Sequence, residues 1–217
     1  MTMFCNDRDL LAVEPVIFIG GGFVGQNLIT SGDGVLNGTT FTSPGSDFIS
    51  AGVEAGMVLC VYSANPAEGD GLEIVSVDST SELTVSVLRG SADDEAIAPP
   101  AGTGLSFYVR TYAAQIANVS GTLSEKLRQI LEVAGVCSGD FADSSQLKTV
   151  AAYGVLSSIF VARADNATAQ DANWTKAEHY HKKFHEQQLQ LRLAVDSDGD
   201  GVAEQTRTLG NVSLRRL

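Results

Sequence analysis

Cysteine is scarce in this chain, and its three cysteines stand far apart. Cys5, Cys60 and Cys137 are odd in number and widely spaced. A disulfide framework or a metal knuckle requires cysteines in pairs at characteristic spacings. We therefore expect three reduced thiols, mostly buried, in a protein that is made in a cytoplasm.

Long apolar runs and a basic amino terminus are also missing. A membrane-spanning helix takes about 20 mainly apolar residues. The longest candidate, residues 150–162, is shorter and contains Tyr153 and Gly154. Residues 1–9 lack the basic start of a signal peptide. The sequence therefore predicts no membrane segment and no export.

Positive charge is nearly absent from the first half of the chain. Residues 1–120 contain only Arg8, Arg89 and Arg110 against 14 acidic residues, whereas residues 121–217 contain 11 basic and 12 acidic ones. An acidic half cannot hold phosphate backbones by releasing counterions. It could surround DNA without gripping it, and the alternative is that the charge serves solubility alone.

A β module is predicted between residues 30 and 113. Its strand-like runs are rich in β-branched and aromatic residues and alternate with turns. They lie at residues 39–42, 57–62, 72–77, 83–88 and 106–110. Five short strands in this length favour a small antiparallel barrel or sandwich.

Helical periodicity marks the segments on both sides of this module. Residues 9–18 predict a short helix that Pro15 bends or ends. Thr122 and Glu125 have the spacing of a capping box and predict a helix start. Two further helices are predicted, a buried apolar one over 147–164 that Ser145 caps and one over 172–189. The core-facing stripe of the second is predicted to consist of Trp174, Ala177, Tyr180, Phe184 and Leu191.

The predicted fold class is therefore α+β, a helical group with an inserted β module. The parts are an N-terminal helical segment (1–29), the β module (30–113), the helical group (114–191) and a C-terminal β-hairpin or arm (192–217). The hairpin begins with an apolar strand at residue 192 and ends with a second strand over residues 212–216.

Glycines at 20, 21, 22 and 25 match the G-x-G-x-x-G pattern of dinucleotide sites. Such a site needs a long helix after the glycines, and an acidic residue ending a second strand about 20 residues on. Gly32 and Gly34 would stop a helix within two turns, and Asp47 does not end a strand. We expect a flexible hinge and no bound cofactor.

The hairpin tip resembles a calcium loop. Asp196, Asp198, Asp200 and Glu204 fall at its first, third, fifth and ninth positions. The twelfth position should supply a carboxylate, but Arg207 stands there. The alternatives are a tight turn without metal and a calcium site of low affinity.

Three histidines, His179, His181 and His185, lie on the third predicted helix. The metalloprotease pattern requires a glutamate directly after the first histidine of an i, i+4 pair, and Lys182 follows His181. We expect a solvated or interface face. With no catalytic triad in view, we expect no enzymatic activity.

Five segments carry a resemblance to a known family. They are Asp9-Leu-Leu-Ala-Val-Glu-Pro-Val-Ile-Phe, Ala51-Gly-Val-Glu-Ala-Gly-Met-Val-Leu, Leu105-Ser-Phe-Tyr-Val-Arg-Thr-Tyr-Ala-Ala-Gln-Ile, and Lys176-Ala-Glu-His-Tyr-His-Lys-Lys-Phe with Leu193-Ala-Val-Asp-Ser-Asp-Gly-Asp-Gly-Val-Ala. In these segments and in its overall layout, the chain resembles the head–tail connector (adaptor) proteins of the necks of tailed phages.

The resemblance implies a non-enzymatic virion protein that is made in the host cytoplasm. It implies a homo-oligomeric ring, usually a dodecamer, between the portal protein and the next neck or tail protein. DNA passes through the lumen without specific binding. Two alternatives stay open, a calcium-dependent binding or tail-tip module and an enzyme with a nucleotide cofactor.

Connector proteins commonly reach the portal with a C-terminal segment, which corresponds here to residues 211–217. The residues predicted to contact the portal or a neighbouring subunit are Val212, Leu214, Arg215 and Arg216. An exposed strand edge with adjacent arginines can pair with another chain and with its carboxylates. The alternative is a hairpin that only covers the protein's own helices.

Overall fold

The computed structural model describes residues 3–19, 23, 25–63, 65, 69–133, 140–141, 145–168, 171–196 and 205–208. For residues 130–133, 140–141, 145–146, 192–196 and 205–208 it describes the backbone alone. The chain forms two compact units, Asn6–Ala113 and a second one made of Met1–Cys5 with Ala114–Leu217.

The first unit contains a closed antiparallel barrel of six strands. They are β1 (Gln26–Asn37), β2 (Thr40–Thr42), β3 (Val58–Tyr62), β4 (Asp70–Val77), β5 (Glu82–Ser86) and β6 (Gly102–Thr111), joined in the order β1-β2-β5-β4-β3-β6. All five predicted strands are present. Of the two predicted architectures, the barrel is confirmed.

Aromatic side chains fill the barrel interior. Phe41, Phe48 and Phe107 are fully buried and mutually packed, and the rings of Phe41 and Phe107 meet edge to face with centroids 4.9 Å apart. Aliphatic side chains from β3, β4, β5 and β6 complete this core. Closure leaves each strand paired on both sides, which removes the exposed edges of an open sheet.

Strand β1 was not predicted, and the predicted boundary at residue 30 falls inside it. Gly32 and Gly34 were expected to stop a helix, and no helix forms there, but β1 runs through both glycines and pairs with β6 across several register shifts. A Cβ on Gly34 would lie 2.8 Å from the Phe41 ring and 3.0 Å from the carbonyl oxygen of Leu105. Gly34 thus permits close packing at a barrel bend.

A short helix, α1 (Asp7–Val13), belongs to the same unit as the barrel. Asn6 caps it through a capping box with Asp9. The helix ends before Pro15, which begins a 3-10 helix, Pro15–Ile17, as the sequence predicts. The Arg8 N–H donates to the carbonyl oxygen of Gly56 at 2.9 Å, which ties α1 to the loop before β3.

The second unit contains three helices and a small sheet. They are α2 (Ala113–Val133), α3 (Ser145–Arg163) and α4 (Ala172–Gln190), with β7 (Asp140–Phe141), β8 (Arg192–Asp196) and β9 (Gln205–Thr208) in the order β7-β8-β9. The Asp171 side chain caps α4 by accepting from Asn173 and Trp174. No helix in the described part of the chain is long and apolar enough to span a membrane.

The predicted burial of α3 and α4 is largely confirmed. Leu147, Val155, Leu156, Ile159 and Phe160 of α3 are fully buried. The predicted stripe of α4 contributes three buried residues, Ala177, Tyr180 and Leu191, and two half-buried ones, Trp174 and Phe184. In this unit the core is almost entirely apolar.

The predicted capping box at Thr122 is wrong. Helix α2 begins at Ala113, so Thr122 lies in its interior, where its hydroxyl donates to the carbonyl oxygen of Asn118 at 3.1 Å. A threonine hydroxyl can bond the preceding turn of its own helix in this way. Glu125 pairs with Arg128 on the exposed face.

The hairpin prediction also needs a correction. Strand β8 pairs with β7 on one side and with β9 on the other, with Arg192 opposite Thr208 and Val195 opposite Gln205. Residues 212–216, which were predicted to form the second strand, lie outside the described residues.

Candidate functional site: the charged surface of the barrel unit

Most of the predicted contact and metal residues lie outside the described residues. They are Asp198, Asp200 and Glu204 at the hairpin tip and Val212, Leu214, Arg215 and Arg216 in the arm. Asp196 ends strand β8, opposite Asp140 of β7. Arg207 lies in β9 opposite Leu193. Among described residues, no three His, Cys, Asp or Glu side chains are grouped to hold a metal ion.

The glycine pattern is followed by a strand. Gly25 leads directly into β1, so the long helix that would point its N-terminus at a pyrophosphate is replaced by a barrel strand. Gly20, Gly21, Gly22 and Val24 lie outside the described residues.

The segment before the glycines is held by buried donors from the barrel wall. The Phe18 carbonyl oxygen accepts from the Tyr108 hydroxyl at 2.7 Å, from Arg110 Nη1 at 3.3 Å and from the Cys60 thiol at 3.2 Å. Burial raises the pKa of the Cys60 thiol to about 12, so it stays protonated and remains a donor.

Arg110 connects this segment with the strand that follows the glycines. Its Nη1 also donates to the Ile17 carbonyl oxygen at 3.2 Å, and its Nε donates to Asn27 Oδ1 at 2.9 Å. The Tyr112 hydroxyl donates to the Ile17 carbonyl oxygen at 2.6 Å. One guanidinium therefore fixes both ends of the glycine segment.

The other two arginines of the barrel unit share one carboxylate. Arg8 and Arg89 each direct Nε at a different oxygen of Glu73, whose side chain is completely buried. One further donor of each guanidinium reaches a carbonyl oxygen, Arg8 Nη2 that of Arg89 and Arg89 Nη1 that of Asp94, both at 2.5 Å, and Arg8 Nη1 lies 3.9 Å from Asp9 Oδ1. We call Arg8, Glu73 and Arg89 the buried triad.

These contacts decide the charge that the barrel unit shows to solvent. Its three basic residues, Arg8, Arg89 and Arg110, are only 8%, 8% and 5% exposed. Exposed carboxylates occur at Asp47, Glu54, Asp70, Asp78, Glu82, Asp93, Asp94 and Glu95. The charged side chains exposed on this unit are therefore carboxylates alone.

One buried carboxyl group lies where the barrel leads into α2. Asp7 accepts from the Thr111 hydroxyl at 2.6 Å and from the Tyr112 N–H at 2.8 Å. Burial nevertheless raises the pKa of Asp7 to about 6, because the loss of hydration destabilises the ionised form more than these two hydrogen bonds stabilise it.

The second unit exposes its cations instead. Arg128, Lys148, Lys176 and Lys182 are all exposed. His181 and His185 lie on the exposed side of α4 with their Nε2 atoms 3.1 Å apart. Partial burial, followed by the nearby His181 and Lys126, lowers the pKa of His185.

Sequence reasoning found the acidity of the barrel unit but missed the burial of its arginines. The small number of arginines in this acidic part of the sequence could have indicated their burial. An arginine that is almost alone among carboxylates is a candidate for an internal ion pair. Composition does not give the partners, because Glu73 is separated from Arg8 by 65 residues and from Arg89 by 16.

Comparisons with known proteins identify no relative. No family model, curated protein or solved structure matches the chain.

Proposed function

We propose that this protein is a structural head–tail connector of a tailed phage. In this proposal, copies of the chain form a ring, a dodecamer by resemblance, between the portal protein and the next neck or tail protein. The barrel unit borders the channel through which DNA passes. The C-terminal arm, residues 211–217, contacts the portal or a neighbouring subunit.

The observation that carries the proposal is the carboxylate-only surface of the barrel unit. A wall that DNA must slide past should lack cationic side chains, because each phosphate contact adds affinity and slows movement. The unit keeps its three arginines, but all of them are buried in internal contacts. They serve the fold without being available to phosphates.

The repulsion between the barrel surface and DNA acts only over a short range. At physiological salt, charges on a surface are screened over about 8 Å. Carboxylates therefore act on DNA only when it approaches the wall, and they leave the centre of a channel unaffected. Loops such as residues 93–95, with three consecutive exposed carboxylates, would repel a strand that touches them.

A DNA-binding comparison tests this role of the barrel surface. The parent chain should show no binding to duplex DNA at low salt by fluorescence anisotropy. Replacing Glu54, Glu82, Asp93 and Glu95 by lysine should create binding that disappears as salt rises. The matched control replaces the same four residues by glutamine or asparagine and should not bind. Binding by the parent would contradict the proposal.

A portal-binding comparison tests the arm. Arg215→Glu with Arg216→Glu should abolish binding to the portal, since repulsion replaces the paired hydrogen bonds that arginine makes with carboxylates. The control, Arg128→Glu with Lys182→Glu, makes the same charge change at exposed positions of α2 and α4 and should bind normally. Normal binding by the arm variant would remove the arm from the proposed interface.

A further inference from the structure

Two histidines on α4 are arranged as a pair of ligands. His181 and His185 are four residues apart, so they lie about one helical turn apart on the same side of the helix. Their rings are nearly perpendicular, with an interplanar angle of 82° and centroids 4.4 Å apart. The two Nε2 atoms face each other at 3.1 Å, and both residues are exposed.

This separation suits two ligands in adjacent positions around one ion. With metal–nitrogen bonds of about 2.0–2.1 Å, nitrogens 3.1 Å apart subtend an angle of about 100° at the ion. That value lies between the angles of square-planar and tetrahedral coordination, the geometries of Cu²⁺ or Ni²⁺ and of Zn²⁺. Imidazole nitrogen is a ligand that all three ions accept.

We propose that His181 and His185 form a two-histidine chelate for a first-row divalent cation of the Cu²⁺, Ni²⁺ and Zn²⁺ class. In the metal-free chain one Nε2–H donates to the other Nε2. On binding, the donating ring changes tautomer: its Nε2 proton passes to solvent, Nδ1 takes up a proton from solvent, and both Nε2 lone pairs coordinate the ion. Water completes the coordination, because the pair lies on an exposed helix face.

Charged groups of both signs lie around the pair, and Lys126 acts on His185 as a like charge. Lys182, next to His181, pairs with Glu186 at 3.8 Å. Lys126 donates to Gln188 Oε1 at 3.4 Å and lies over the Phe184 ring. Glu178 is exposed and precedes His181 by three residues, which places a carboxylate on the same side of α4.

The test uses the full chain without a polyhistidine tag, titrated with Ni²⁺ and separately with Cu²⁺ in a calorimeter. One ion should bind per chain, and Cu²⁺ should bind more tightly than Ni²⁺. Replacing either His181 or His185 by alanine should weaken binding roughly 10- to 100-fold, because the second ligand then no longer acts at high effective concentration.

His179 provides the matched control. It is exposed on the same helix and stacks edge to face on Tyr180, but its spacing from His181 and His185 does not make an i, i+4 pair. His179→Ala should bind both ions as the parent does, and all variants should keep the parent's circular dichroism spectrum. Absence of binding by the parent would overturn the proposal. So would unchanged affinity after loss of His181 or His185, which would locate the ion elsewhere in the chain.

Discussion

The two units of this protein use charge in opposite ways. In the barrel unit all three arginines are buried and bonded, and the exposed charges are negative. In the second, helical unit the described core is mostly apolar, and Arg128, Lys148, Lys176 and Lys182 are exposed. The barrel unit thus adds buried ion pairs and hydrogen bonds to its aromatic and aliphatic core, whereas the described core of the helical unit is mostly apolar.

The difference teaches that net charge alone does not describe a surface. A unit with three arginines among 14 acidic residues could still present one cationic patch, which would be enough to bind a phosphate. Burial of all three removes that patch. The helical unit is close to neutral in sequence, yet it is the unit that offers exposed cations.

The largest effect is expected from breaking the buried triad. Glu73→Ala leaves the guanidinium groups of Arg8 and Arg89 buried without their carboxylate. Removing one partner of a buried ion pair costs about 3–5 kcal/mol. Hydrogen exchange of amides in β3 and β4 should show this loss in the free energy of unfolding of the barrel.

The matched change in the helical unit is Glu125→Ala. Glu125 pairs with Arg128 on an exposed face of α2, where solvent screens the interaction. The variant should unfold like the parent. An equal loss in the free energy of unfolding for Glu73→Ala and Glu125→Ala would contradict the contrast between the units.

The next effect concerns Asp7 and pH. Its folded-state pKa of about 6 lies above the ordinary carboxyl value, so the folded state binds the proton more tightly than the unfolded state. The stabilisation of the folded state by protonated Asp7 is fully present below pH ~4 and is lost as pH rises through ~6. Its size is ~3 kcal/mol at most. The parent should therefore gain stability relative to Asp7→Asn as pH falls from 7 to 4, measured by urea unfolding. A constant difference across this range would exclude the titration of Asp7.

Two glycine substitutions sharpen the comparison. In Gly34→Ala the new methyl group meets the Phe41 ring at 2.8 Å and backbone at 3.0 Å, so we expect a loss of about 1–3 kcal/mol from overpacking. In Gly154→Ala the three nearest atoms, at 2.8–3.0 Å, belong to the side chains of Phe184 and Val119, with no backbone atom among them, and alanine favours the helix by about 1 kcal/mol.

The melting temperature should therefore fall more for Gly34→Ala than for Gly154→Ala. Gly32→Ala is the control within the same strand, because its methyl group would have only Ser106 Oγ within 4 Å, at 3.8 Å. A larger fall in melting temperature for Gly154→Ala than for Gly34→Ala would show that the core of the helical unit tolerates an added methyl group less well than the barrel does.

The smallest effect is expected from calcium. Arg207 occupies the position where a calcium loop supplies its last carboxylate, so the ion should bind poorly. The melting temperature should change little between a chelator and excess calcium. A large stabilisation would mean that another carboxylate supplies the ligand, since a bound ion stabilises the folded state by mass action.

Local patterns in the sequence predicted most of the fold. Alternation identified β2 to β6, and periodicity identified α3 and α4, because those elements bury one regular face. The prediction missed β1, whose Gly34 closely approaches Phe41 and Leu105 of the two neighbouring strands, which only the folded barrel brings together. It misplaced the start of α2, because Thr122 and Glu125 imitate a cap inside a helix.

The candidate site was less predictable than the fold. Acidity could be counted, but the burial of Arg8, Arg89 and Arg110 depends on partners that are distant in sequence. The His181 and His185 pair is the exception, since its spacing alone places both rings on one side of α4.

Native mass spectrometry of the purified chain, alone and mixed with its portal protein, tests the central claim most directly. The account predicts a closed ring on the portal, with the mass of a dodecamer of the 22.8 kDa chain added to that of the portal. Unbound portal together with a chain that stays monomeric in its presence would contradict the connector function.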